Sequence, residues 1–155
     1  MKKSIELLKT LLQTKLQGKV RGVYVGDPWI IPDASMPCLV LNPNRTDTNI
    51  LDNQRDSHTH YVDIALVIDA RTYFDATPEK MVGTVFLMET MEKELSDGTI
   101  DLNSILGTLR NNLDLETNRF IQNISGIDYT VRRRTEQLIT LEAVMHIQIQ
   151  YIINR

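Results

Sequence analysis

One cysteine, Cys38, occurs in 155 residues, so no internal disulfide forms within the chain. That suits a reducing compartment or a fold that needs no covalent staple. Between Pro37 and Leu39, Cys38 reads as a small buried hydrophobe rather than a nucleophile. No Cys-x-x-Cys pair, no Gly-x-Ser-x-Gly elbow and no glycine-rich phosphate loop occurs, which lowers the odds of an enzyme. No stretch reaches the roughly 18 apolar residues of a membrane helix. The basic start MKKSIELLKTLLQTK is interrupted by Glu6, Lys9, Thr10 and Gln13, so it has no signal-peptide core. Without a secretion signal, the acceptor patterns at Asn44 and Asn123 read as chance. The net charge of −3 is small, so nucleic acid is not the default partner, because phosphate binding usually needs a concentrated basic surface.

What is present is ordinary globular texture. Apolar residues make up 42% and charged residues 24%, in a length that suits one domain, 1–155, with its own core. Ile5, Leu8, Leu12 and Leu16, with Leu11 beside them, predict a helix over 5–17, capped by Ser4 and stopped by Gly18. Short strands are expected at 20–25 and 38–41. Segment 44–57 is polar, interrupted only by Ile50 and Leu51, and reads as a polar loop or an extended arm.

In 58–70 the residues Val62, Ile64, Leu66, Ile68 and Ala70 share one strand face, opposite Tyr61, Asp63 and Asp69. Thr77-Pro78-Glu79 opens a helix with a stripe of Met81, Val85, Met88, Met91 and Leu95, broadened by Val82 and Phe86. A third helix follows a cap at Asp101, with Leu102, Ile105, Leu106, Leu109 and Leu113 on its stripe. Ile127, Tyr129 and Val131 then alternate, and Ile139 to Ile153 place an apolar residue at every second position. Such a strand spans on the order of 50 Å if unbroken, so it either bends at a bulge or reaches past its own domain. Face matching pairs Arg134 with Leu138 and Val131 with Leu141, and sets Arg132 diagonal to Glu142. The element order predicts an α+β domain. Its sheet is mainly antiparallel, the N-terminal helix and a central helix pair pack mainly on one face, and a β-hairpin closes the chain.

Several residues have competing readings. His58 and His60 point to one side of their strand and meet the ligand spacing for zinc if His146 joins them. The plainer reading is a pair of histidines that continues the core-facing row at the sheet rim. Asp63 and Asp69 lie about 20 Å apart along a strand, too far for a paired-carboxylate centre. Trp29, Ile30 and Ile31 either cover the domain's own core or make a subunit contact. Arg132 and Arg134 belong either to a partner contact or to a charged strand end that discourages edge pairing. The polar arm and the long last strand suit a protein that exchanges extended segments with neighbours.

Taken together, the layout resembles the tail terminator (tail completion, head–tail joining) proteins of tailed bacteriophages. The likeness rests on the N-terminal helix, the strand MPCLVLNP, the polar excursion, the strand YVDIALVIDAR, the helix after TPEKMVG, the segment LNSILGTLRNNL and the closing hairpin ending HIQIQYIINR. It covers nearly the whole chain and carries no residue-level active-site motif. The resemblance implies a virion structural protein, made in the host cytoplasm, whose copies form a homohexameric ring. The ring caps the tail tube and joins it to the head connector, while DNA passes through its lumen without specific binding. It implies no catalysis, no cofactor and no membrane. A neck adaptor or a tail-tube subunit fits the same texture. The alternative of a different class is a metal-binding module or metal-dependent enzyme using His58, His60 and His146. The expected subunit-contact residues are Trp29, Ile30, Ile31, Ile50, Leu51, Arg132 and Arg134.

Overall fold

Two strands with strict period-two alternation form the middle of the sheet. Strand β3 (Arg55–Asp69) and strand β6 (Ile139–Asn154) pair antiparallel along their whole length, from Arg55 opposite Asn154 to Asp69 opposite Thr140. The computed structural model describes residues 1–26, 28, 30–73 and 82–154. Strand β2 (Cys38–Ile50) flanks β3, and β1 (Gly22–Val25) lies parallel to the first four residues of β2. On the other side β5 (Arg119–Arg133) pairs with β6, and the short β4 (Asp114–Glu116) covers only the start of β5. The order is β1-β2-β3-β6-β5-β4, antiparallel except at β1–β2. This is the expected α+β architecture.

Helices α1 (Lys2–Lys15), α3 (Val82–Glu92) and α4 (Ile105–Arg110) pack on one face of this sheet. Their Ile5, Leu8, Leu12, Leu87, Met91, Ile105 and Leu109 bury against Ile64, Leu66 and Ile68 of β3 and Met145, Ile147 and Ile149 of β6. Each such fully buried side chain contributes about 1.5–3 kcal/mol relative to exposure. A short helix, α2 (Ala70–Tyr73), follows β3 directly. The opposite face carries a second, smaller core of Ile31, Met36, Cys38, Val40, Val67 and Leu138, covered by the loop between β1 and β2. Beyond that cover the back face is polar.

The closing hairpin has the expected register. Arg134 N–H donates to the Leu138 carbonyl at 2.9 Å, Val131 faces Leu141 and Tyr129 faces Ala143. Its loop contains no glycine because Thr135 holds the turn. The Thr135 hydroxyl accepts from the N–H groups of Gln137 (3.2 Å) and Leu138 (3.0 Å). Strand β6 runs unbroken, and the irregularities sit in its partner β5, between Ile121 and Asn123 and between Ile124 and Ile127.

Four local expectations need correction. Ser4 is not a cap; α1 begins one turn earlier, with Met1 at the cap position, and Ser4 is buried inside the helix. Strand β2 does not stop at Leu41. It crosses Pro43 at a register shift and continues to Ile50, so the polar segment 44–57 is the outer half of a β2–β3 hairpin. Asp101 does not cap α4. Its carboxylate accepts from Asn103 N–H at 2.9 Å in a turn, and Ser104 Oγ caps the helix by accepting from Gly107 N–H at 3.0 Å. The buried face of α3 is Gly83, Leu87, Thr90 and Met91, with Phe86 half-buried, whereas Val85, Met88 and Leu95 are exposed. That helix is apolar almost all round, so periodicity alone does not select its inner face. Thr77-Pro78-Glu79 and Met81 lie outside the described residues.

Candidate functional site

The β2–β3 hairpin projects past β1, and this leaves one sheet edge bare. Strand β1 covers only Cys38–Leu41, so among the described residues Asn44–Ile50 has a neighbour on one side alone. Leu51 N–H donates to the Arg55 carbonyl at 3.0 Å. Hydrogen-bonded pairs alternate in an antiparallel ladder. Asn49, Asp47 and Arg45 therefore also bond inward to β3, while Thr46, Thr48 and Ile50 turn their backbone N–H and C=O groups outward. Ile50 is 73% exposed at the tip, and Leu51 beside it is also exposed.

The opposite edge is bare as well, at the other end. Strand β4 covers Arg119 and Phe120, and among the described residues the rest of β5 pairs with β6 alone. Apolar side chains cluster along this stretch. Val131 and Tyr129 are exposed there, as is Ile139 of β6 opposite Arg133. Tyr129 O–H donates to Glu92 Oε1 at 2.7 Å, which ties the edge to the C-terminal end of α3, and burial pushes the phenol pKa up. Between helix and edge lies a hollow of about 130 Å³ lined by Thr84, Leu87, Tyr129, Thr130, Val131 and Leu141.

The three histidines do not converge. His58 and His60 lie on the helix-covered face, where Thr48 Oγ1 and Thr46 Oγ1 each sit 3.0 Å from an Nδ1 atom. Burial first, then the positive amino terminus, His58 and Arg119, push the His60 pKa down to about 4, so its ring is neutral. Arg119 is itself buried, 3.9 Å over the Tyr151 ring and 2.9 Å from Glu116. His146 is on the opposite face. Its Nδ1 lies 2.6 Å from an Asp63 carboxylate oxygen and its Nε2 lies 3.2 Å from one of Asp128. Donation from both ring nitrogens requires the imidazolium form. The hydrogen bond to Asp63, then the one to Asp128, hold its pKa above the ordinary histidine value. A hollow of about 200 Å³ adjoins it, with Asn44, Asp63, Ser125 and Gln148 as well as Val62 and Ile147 in its lining. Among the described residues, no group of three or more His, Cys, Asp and Glu side chains is placed to hold a metal ion.

The remaining expected contact residues divide. Ile31 is buried in the back-face core, whereas Ile30 is 71% exposed; Trp29 lies outside the described residues. Arg134 does not face outward as a partner contact. It is buried against Glu142 at 2.7 Å and donates to the Pro28 carbonyl at 2.8 Å, which holds the β1–β2 loop to the sheet. Arg132 lies 3.8 Å from the other Glu142 oxygen. Cys38 is buried, and burial pushes its thiol up to about 11, in line with a packing role.

Sequence reasoning missed the Asp63–His146–Asp128 chain and the Arg119–Tyr151 stack. The available signal was parity: Asp63 and His146 both occupy the polar face of their strands, and the β3–β6 register sets them opposite one another. No protein-family model matches the chain, and no curated protein matches it either.

Proposed function

We propose that this chain is a structural virion subunit, a phage tail terminator whose copies close into a ring on the tail tube and join it to the head connector. The observation that carries this reading is a single sheet with bare edges on both sides, at opposite ends. Such a subunit has two different, mutually accessible surfaces, which is what head-to-tail association into a ring requires. The projecting hairpin and the resemblance in layout support the same reading. So does the placement of the polar side chains: Arg134–Glu142 and Arg119–Glu116 serve the fold, and the histidines sit on two faces.

A neck adaptor or a tail-tube subunit would use the same edges, and they differ in what they build. The test is electron microscopy of particles assembled without this chain. For a terminator, tails of irregular length unattached to heads are expected. Tails of normal length free of heads would indicate an adaptor, and heads without any tubes would indicate a tube subunit. Normal-length tails joined to heads would sink all three.

A further inference from the structure

We infer that the β2–β3 arm of one copy adds to the open β5 edge of the next, with Ile50 seated in the hollow beside α3. This rests on the ring reading above and gives it a contact.

Three features converge. The first is direction. Strands β2, β3, β6 and β5 are successively antiparallel, so β2 runs opposite to β5. A second copy in the same orientation therefore brings its β2 edge alongside β5 as an antiparallel neighbour, the arrangement that a sheet edge accepts. The open part of β2 is at the end where β4 covers β5, and the open part of β5 extends toward the other end. Adjacent copies are thus staggered along the strands, as strands are staggered when a sheet closes on itself.

The second is side-chain parity. Ile50 pairs with Asp56, which pairs with Ile153, and this row lies on the helix-covered face. Val131 and Tyr129, opposite Leu141 and Ala143, lie on that same face. Copies in one orientation bring the exposed arm tip and the apolar hollow to one side of the shared sheet. A hollow of about 130 Å³ bounded by Leu87, Val131 and Leu141 suits one branched aliphatic side chain. Burying Ile50 there removes an apolar group from water on both partners.

The third is chemistry along the two edges. Segment 46–50 contains no lysine or proline, and its one charged residue, Asp47, lies on the sheet face opposite Ile50. Residues 44–57 hold two arginines against three aspartates, and residues 121–133 hold two arginines against one aspartate. The two edges therefore carry opposite net charge.

Cysteine cross-linking in a Cys38→Ala background tests this contact. Ile50→Cys and Val131→Cys proteins, mixed and treated with a short bismaleimide, are expected to give a covalent dimer that neither forms alone. The doubly substituted chain is expected to give a ladder ending at the ring. Ile50→Asp and Thr48→Pro are each expected to weaken association at least about tenfold, the scale of one buried interface anchor. Ile50 is exposed, and Thr48 N–H points away from β3, so both variants keep the fold, with circular dichroism as the check. Cross-linking of Ile50→Cys to itself would show arm-to-arm pairing and overturn the contact. Rings that survive Ile50→Asp and Thr48→Pro unchanged would overturn this contact and leave the ring reading standing. A chain that stays monomeric, alone and with tail tubes, would overturn both.

Discussion

Buried charge is concentrated in a few side chains, and each has a structural partner. Arg134 and Glu142 are 2% and 3% exposed, and Thr140 O–H also donates to Glu142 at 2.7 Å. Arg134→Ala removes the buried cation from that carboxylate and leaves it only the more distant Arg132, so a loss of about 3 kcal/mol is expected in urea denaturation. Gly107 is equally constrained, because a Cβ there would lie 2.7 Å from Leu102 Cα and closer still to the Asp101 carbonyl oxygen. Gly107→Ala is expected to cost about 1–3 kcal/mol, despite the helix propensity of alanine. The histidines act in opposite directions with pH. His60 folds as the neutral form with its pKa lowered to about 4, so its contribution is complete above 6.5 and is lost as pH falls from 6.5 to about 4. The loss is on the order of 3 kcal/mol, and His60→Gln should remove it. His146 has a raised folded pKa, so its contribution is complete below 6.5 and fades as pH rises through the elevated value. His146→Gln should flatten that alkaline decline. Denaturation midpoints measured from about pH 4 to about pH 8 separate the two.

Among the secondary-structure elements, legibility followed how one-sided each one is. Strand β6 buries one face along most of its length, so its alternation and the Arg134–Leu138 register could be read from residue types alone. Helix α1 was equally plain, because Ile5, Leu8, Leu12 and Leu16 fall on one buried stripe while its outer side is polar. The outer half of β2 was not, since Asn44–Asn49 is polar on both faces and Pro43 resembles a terminator. Only its pairing with His58 and His60 makes it a strand. Helix α3 failed for the opposite reason, with apolar residues on every side. The Asp63–His146 contact was invisible until two strands more than eighty residues apart came into register. Hydrogen exchange should reproduce this ranking. Amides of β6, paired on both sides, are expected to exchange slowest. Those of Thr46, Thr48 and Ile50 are expected to exchange fast in the free chain and slow on assembly. Equal protection of these three in the monomer would mean that the β2 edge is not bare.

For the molecule as a whole, the fold puts its stability into one continuous sheet, and among the described residues that sheet is open at both sides. Isolated bare edges are a liability, and native chains usually blunt them. Here the β5 edge has bulges and an exposed apolar border, and the β2 edge ends in Ile50 and Leu51. The proposed closure into a ring would satisfy both edges at once without leaving a free end. Native mass spectrometry of the purified protein, at increasing concentration and with tail tubes added, tests this closure. One closed species is expected, six copies of the 17.8 kDa chain, with no larger ladder above it. A chain that remains a monomer under all of these conditions, or that grows into an open-ended series, would contradict it.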